Sequence, residues 1–520
     1  MAHFFVITNT LSGSLIYYHS HVVRQTAAYM ESMPKQIRKK SGQFFTSIET
    51  ARFMAGLFTI PAQPEITILD PGAGTGILTA ALLERISAIP SVERVHLICY
   101  ETDEKIIPVL EDNLRYVTAH CLKKADYELR TLNYITSQEN AFNGGLFPES
   151  GVTCDLCIGN PPYMKIGKDA PEAKAMPAIC YGAPNLYFLF AAMSLFNVCD
   201  SGEMVYIIPR SWTSGMYFKR FRQYLFSHGV IEQIHLFTSR DKVFDTEQVL
   251  QETMIVKIRK QRQVPSDILV TSSESNCDFR HLQQISLPYS AVVSGADQYV
   301  FLMTNHREVD ATCLLNTFPY TLPDFGMKMK TGLTVDFRER ESLRNTEVDG
   351  AVPLFFAQHI QNGHICFPIG KEGEYLVPSR KSLVQPNTNY LFIRRFTAKE
   401  EKRRLQCGIY LAEQFPQYQT ISTQNKINFI DNADHTLSKD VVYGLYVLFN
   451  STLYDVYYRV LNGSTQVNAT EINHMPVPAI SIIEELGRAL LKQSDITEKT
   501  CNQILEGFLH GKNQRSSSHS

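Results

Sequence analysis

The chain reads as an α/β domain on a mostly parallel seven-stranded sheet, followed by a mixed α+β domain. Three observations predict this. Short β-rich apolar runs alternate with helical patterns through the first half, as strands do when helices cross between them. The first such run ends in an acid and a glycine-rich turn that opens a helix. After Arg259-Lys260-Gln261-Arg262 the alternation gives way to short aromatic-rich strands interrupted by Asn, Pro and Gly.

Element by element, Ile66-Thr67-Ile68-Leu69-Asp70 is a strand, Pro71-Gly72-Ala73-Gly74-Thr75-Gly76 a turn, and Ile77 to Ile86 a helix. A second strand, Val95 to Tyr100, ends at Glu101 and precedes a helix running through Leu114. Strands are predicted near Tyr127 to Ile135 and at Cys154 to Ile158. A helix from Leu186 to Asn197 leads into a strand at Met204 to Ile208, closed by Pro209. Ile231 to Phe237 and Thr253 to Ile258 complete the seven strands, a Rossmann-like arrangement. The expected domains are 1–262, with a helical lead over 1–40, then 263–480, then a C-terminal helix and an irregular polar tail over 481–520.

A length of 520 residues exceeds one ordinary core, in line with two major domains. With 44% hydrophobic and 20% charged residues the composition is that of a soluble globular protein, and no apolar run is long enough to span a bilayer. The apolar opening, Met1 to Ile7, lacks the basic start and small-residue cleavage site of a secretory signal, so an intracellular protein is expected. The 11 cysteines show no disulfide framework and no four-ligand zinc spacing. Cys154-x-x-Cys157 falls inside an apolar strand and is read as packing; no metal site is expected. A net charge of −2 means that any nucleic-acid contact must come from basic residues gathered on one face.

The glycine turn after the first strand lets backbone approach a bound nucleotide, and the following helix offers free amides. Two details favour S-adenosylmethionine over a dinucleotide. Asp70 immediately before the turn would attract a cationic ammonium and sulfonium and repel a pyrophosphate. The spacing Gly72-x-Gly74-x-Gly76 is also tighter than the dinucleotide fingerprint. Gly72, Ala73 and Gly74 are the turn positions expected at the cofactor. Glu101, with Asp103 as its rival, stands where an acid can accept from both ribose hydroxyls.

Asn160-Pro161-Pro162-Tyr163 follows directly on the fourth strand, and its prolines fix an extended, rigid loop. The Asn160 side-chain oxygen and the Pro161 carbonyl can both accept from one exocyclic amine. An aromatic amine is a poor nucleophile because its lone pair is delocalised; two fixed acceptors favour a tetrahedral nitrogen able to attack a sulfonium methyl. Tyr163 offers a ring face for a base taken out of a duplex.

These motifs, in this order, resemble the gamma class of amino-methyltransferases, the adenine-N6 DNA methylases of restriction-modification systems of the TaqI and PstI type. Ser41-Gly42-Gln43-Phe44-Phe45-Thr46 resembles the family's leading cofactor motif, which implies a contact of Thr46 near the methionine end. Asn133-Tyr134-Ile135 resembles the third motif, where the family usually has Asp-Phe; the resemblance implies cofactor contacts for Asn133 and Tyr134, with Asn133 departing from the acid. Asn185-Leu186-Tyr187, Gly202 to Pro209 and Val249 to Val256 resemble the motifs that follow. The resemblance implies S-adenosylmethionine as cofactor and double-stranded DNA as substrate. It further implies a separate cognate restriction endonuclease, and a monomeric protein of the bacterial cytoplasm.

In the second half, basic and aromatic residues interleave at Arg380-Lys381, at Tyr390 to Phe396, which contains Arg394-Arg395, and at Lys402-Arg403-Arg404. Such interleaving suits phosphate contacts beside base contacts, although a solvated face gives the same pattern. Leu448 to Tyr454, Gly463 to Asn468 and Met475 to Pro478 resemble the closing part of the family's target-recognition domain. The same tetrapeptide loop occurs in methylases of release-factor glutamine and of RNA guanine-N2. Cytosine-N4 methylation poses the same chemical problem, and a DNA-binding module without activity is a further alternative that intact Asp70, Glu101 and Asn160 oppose.

Overall fold

The computed structural model describes residues 14–33, 45–145, 151–237, 252–276, 279–398, 400–462 and 465–516. The chain divides into two compact units, Met1–Trp212 with Tyr217–Val300, and Thr213–Met216 with Phe301–Ser520. The segments Ser41 to Phe44, Val249 to Gln251 and Gly463-Ser464, which carry parts of the sequence motifs, lie outside the described residues.

The first unit is built on β1 (Glu65–Asp70), β2 (Arg94–Tyr100), β3 (Lys124–Arg130), β4 (Cys154–Gly159), β5 (Val198–Pro209), β6 (Val230–Phe237) and β7 (Thr253–Arg259). Two further strands follow, β8 (Asp267–Ser273) and β9 (Gln283–Pro288). The sheet order is β3-β2-β1-β4-β5-β7-β6-β8-β9. β1 runs parallel to β2 and β4, with Leu69 opposite Ile98 on one side and Cys157 on the other. Among the first seven strands β7 is antiparallel to both its neighbours, β5 and β6. The inner strands are apolar on both faces because helices cover both: Ile66, Ile68, Leu69, Val95, Leu97, Leu156 and Ile158 are all buried. Cys154 and Cys157 are buried in β4, where desolvation raises both thiols, that of Cys157 to about 12.

Between the strands lie α1 (Ser14–Ser32), α2 (Ile48–Leu57), α3 (Ile77–Ser87), α4 (Ile107–Ala119), α5 (Tyr134–Ser137), α6 (Pro171–Ala175), α7 (Leu186–Asn197) and α8 (Lys219–His228). Within the span 1–40 the described residues 14–33 hold α1, which packs on α3 and α4 and joins Thr26 Oγ1 to Thr75 Oγ1 at 2.7 Å.

Two boundaries differ from the sequence reading. The third strand ends at Arg130, because the Asn133 side chain accepts from Thr136 N at 3.2 Å and caps α5 instead of continuing a strand. The sheet also has nine strands, carrying the first unit to Val300 rather than 262. β8 looks unlike a core strand because it ends Thr271-Ser272-Ser273, yet all three residues are buried. The hydroxyls of Thr271 and Ser273 lie 3.0 and 3.1 Å from the two ring nitrogens of buried His235 on the adjacent β6, so polar residues satisfy a polar core. Burial lowers His235 to about 3 and keeps it neutral.

The second unit is mixed α+β. A six-stranded sheet places Ile427–Asn432 between Met327–Thr331 and Tyr390–Arg394, both antiparallel to it, and a smaller five-stranded sheet accompanies it. Its core is aromatic: Phe355, Phe392, Tyr410 and Phe415 pack with ring centroids 5.2–5.7 Å apart. Helices Ile480–Leu491 and Glu498–Ser516 pack on Lys439–Phe449 and belong to this unit, not to a separate segment. The last helix takes in Gln514 to Ser516, where the irregular tail was expected. Among the described residues no helix is long and apolar enough to cross a membrane.

Candidate active site

In an open parallel sheet, ligands bind beyond the carboxyl ends of the strands where the strand order reverses. Here the reversal lies between β1 and β4. A cavity of about 460 Å³ opens there, lined by residues that follow β1, β2, β3 and β4.

From β1, Asp70 is fully buried and its Oδ2 accepts from Thr79 Oγ1 on α3 at 2.8 Å. Burial pushes its carboxyl up to about 7, and the neighbouring Glu101 charge adds to the rise against hydrogen bonds from Thr79 and the Gly72 backbone. Asp70 therefore lies beneath the turn, while Pro71 to Thr75 form the wall. Gly74 and Gly76 take φ of 55° and 83°, the left-handed region that admits glycine readily, and so the turn folds tightly enough to start α3.

From β2, Glu101 is on the wall and accepts from three backbone amides: Gly74 at 3.0 Å, Thr102 at 2.8 Å and Asp103 at 2.9 Å. Desolvation nonetheless raises its pKa. Asp103 also lines the cavity, with Oδ1 accepting from Lys105 N at 2.9 Å.

From β3, Asn133 and Tyr134 reach the wall. The Tyr134 hydroxyl points into the core, donating to Asn197 Oδ1 at 2.6 Å, so only its ring, edge-on to Tyr100, is left for a ligand.

From β4, Asn160 and Pro162 line the cavity. Asn160 Nδ2 donates to Thr46 Oγ1 at 3.0 Å, which fixes which end of the amide is the acceptor. Thr46 is buried and on the same wall, so the leading motif and the catalytic loop meet directly. Pro161 and Tyr163 are buried behind this surface; the Tyr163 hydroxyl donates to Ile207 O on β5 at 2.9 Å, and Met164 stands at the wall beside it.

Sequence reading missed Leu132, Glu172 and Phe190, which also line the cavity. The signal for Phe190 was present: it lies one helical turn beyond Leu186 on α7, and both reach the wall. Nothing local marks Glu172, which arrives on α6 from the stretch after the catalytic loop.

The basic residues of the second unit fall into two groups. Arg380 and Lys381 are exposed, Arg380 pairing with Glu339 at 2.9 Å. Arg394 instead donates to Gln406 Oε1 at 3.0 Å and Ile360 O at 2.9 Å, and Arg395 to Asn425 O at 3.0 Å. Arg404 is wholly buried.

A switch-point cavity walled by a glycine turn, by acids that follow β2 and by the Asn-Pro-Pro loop is that of an α/β enzyme that binds a nucleoside-bearing cofactor. Residues 92–244 match the Eco57I restriction-modification methylase family. The chain is 32% identical over 467 residues to type II methyltransferase M.BsuBI of Bacillus subtilis, covering 88% of this chain and 91% of that protein. It is also 32% identical over 489 residues to type II methyltransferase M.PstI of Providencia stuartii, covering 91% and 95%. Among solved structures, the type IIL restriction-modification enzyme MmeI in complex with DNA aligns over 96% of this chain and 75% of that one, with 11% identity and a TM-score of 0.49. The chain belongs to the type II DNA methyltransferases of restriction-modification systems, enzymes whose methyl donor is S-adenosylmethionine.

Proposed function

We propose that this enzyme methylates N6 of adenine flipped out of double-stranded DNA. The observation that carries the reading is the Asn160 amide, locked by Thr46 at the edge of the cavity that also presents Glu101 and the glycine turn.

The residues fit the donor. A volume near 460 Å³ is in the range for a ligand of that size, and its walls join the carboxylates of Glu101, Asp103 and Glu172 to aromatic and apolar surface. Glu101 would hold the ribose hydroxyls, the turn Gly72-Ala73-Gly74 the backbone-facing side and Thr46 the methionine end, with the charge of Asp70 acting from beneath the turn, and the Tyr134 ring the far end, where the Asn133 amide is engaged by Glu172 and Thr136. When bound, S-adenosylmethionine supplies an electrophilic methyl group on a sulfonium sulfur.

The chain's own work is positional. Asn160 Oδ1 and the Pro161 carbonyl accept the two N–H groups of the target amine, drawing its lone pair out of conjugation with the ring. Pro161 and Pro162 keep those acceptors rigid, and the small accessible part of the Tyr163 ring, anchored through its hydroxyl on Ile207 O, is the surface on which the base would stack. Arg380 and Lys381 contact phosphates, with Arg394 and Arg395 shaping the same unit. Family membership supports a separate cognate endonuclease, and a monomer of the bacterial cytoplasm completes the reading.

Labelled cofactor and duplex DNA, digested to nucleosides after reaction, should place the label in N6-methyladenine; label in N4-methylcytosine would overturn the adenine assignment. Asn160→Ala should lower turnover at least a hundredfold while cofactor affinity stays within about threefold of wild type. Full activity in that variant would remove the mechanism.

A further inference from the structure

Three carboxylates reach the cavity wall: Glu101, Asp103 and Glu172. The first two follow β2. Glu172 comes from α6, which packs against α5 at the end of β3. Its Oε1 accepts from Asn133 Nδ2 at 2.8 Å, while Asn133 Oδ1 accepts from Thr136 N at 3.2 Å and caps α5. Both ends of the Asn133 amide are thus engaged inside the protein. The acceptor presented at this end of the cavity is the carboxylate of Glu172, held in place by Asn133.

The strand order gives the cavity a direction, provided that the cavity is the cofactor site as read above. Asn160 follows β4, the glycine turn β1, Glu101 β2 and Asn133 β3, and these strands are consecutive neighbours in the order β4-β1-β2-β3. The transferable methyl must lie at the Asn160 end, so the ribose falls at Glu101 and the purine beyond it, toward β3. We propose that Glu172 accepts from the exocyclic amine of the cofactor's adenine and selects an aminopurine at that position. A carboxylate is acceptor-only, so a 6-oxo purine would set oxygen against oxygen there, and a purine with hydrogen at that carbon would leave the acceptor without its donor.

The test is equilibrium binding of S-adenosylhomocysteine, and of its analogue with hydrogen in place of the 6-amino group, to the full chain. Wild type should favour the amino form ten- to a hundredfold, as expected for a hydrogen bond to a charged group. Glu172→Ala should erase that preference by weakening the amino form alone, leaving the affinity of the deaminated analogue within about twofold. Retention of the preference in Glu172→Ala would overturn the proposal. So would equal weakening of both ligands, the outcome if α6 merely shapes the loop. A wild-type chain that binds neither ligand would overturn the cofactor site itself, a failure distinct from that of Glu172.

Discussion

The two units of this chain treat their charged and polar residues in opposite ways. In the first unit, residues scattered from Thr46 to Asn160 converge on one cavity because parallel strands deliver their carboxyl ends to one edge of the sheet. In the second, basic residues adjacent in sequence disperse. Arg394 and Arg395 bond to carbonyls at 360 and 425, Arg403 to those of Phe449 and Ser451, and Arg404 lies over the Tyr458 ring with its guanidinium on Thr397 and Asn462. Neighbouring residues of an extended chain point to opposite faces, so a run of charge along the sequence is not a patch in space. Order along the chain is informative where topology is parallel and regular; density of charge is not.

The largest effect expected from this contrast is on stability. Arg404 is completely buried, its nitrogens donate to Thr397 Oγ1 and Asn462 Oδ1 at 3.1 Å, and buried Glu471 lies within its field. Arg404→Ala leaves the Thr397 and Asn462 acceptors without their buried donor and a cavity where the guanidinium lay, and should cost about 3–5 kcal/mol, seen as a lower thermal unfolding midpoint. The contrast would break if the variant kept its stability and lost DNA affinity instead, since that would make Arg404 a reader of DNA.

Asp70 sharpens the other side of the comparison. Its carboxyl is raised to about 7 chiefly by burial, whereas in the unfolded chain it titrates near 3.8. Between those values the folded, ligand-free protein holds a proton that the unfolded chain releases, so stability from this group is lost as pH rises toward 7. A cation beside Asp70 favours the ionised form. Affinity for S-adenosylmethionine should therefore fall as pH drops below about 7, by up to tenfold per unit. Asp70→Asn should flatten that profile and stabilise the ligand-free chain above pH 7. Calorimetric binding from pH 5.5 to 8.5 checks it; an unchanged profile in the variant would show that Asp70 only braces the turn.

What was legible in the sequence follows the same division. Strand ends, the glycine turn and the Asn-Pro-Pro-Tyr loop could be read because each is a local pattern whose position in a parallel sheet is fixed by topology. β8 escaped because its buried polar half exists to satisfy His235, a partner on another strand. Glu172 escaped because its place depends on the packing of two short helices and on one side-chain bond from Asn133. The family's acid is absent at position 133, and the structure offers a carboxylate in contact with it from 39 residues further along the chain. Tyr163 illustrates the limit of a four-residue match: the motif gives the ring, but the anchoring of its hydroxyl on Ile207 O requires β5 to be in place.

The smallest effect belongs to the exposed pair at 380 and 381. The Arg380 side chain is 63% exposed in its ion pair with Glu339, and such surface pairs contribute under about 1 kcal/mol, so Arg380→Ala and Lys381→Ala should leave unfolding nearly unchanged. If each contacts one phosphate, each substitution should reduce the slope of log affinity against log salt by about 0.9 on non-specific duplex DNA, with little change in preference between sequences. Arg394→Ala should do the reverse, lowering stability through Gln406 and Ile360 while leaving the slope intact. Fluorescence anisotropy over a salt series separates these outcomes. An unaltered slope in both surface variants would move the phosphate contacts to other exposed cations of the second unit, such as Lys328 and Lys426, which face solvent at opposite ends of the Met327–Thr331 and Ile427–Asn432 strand pair.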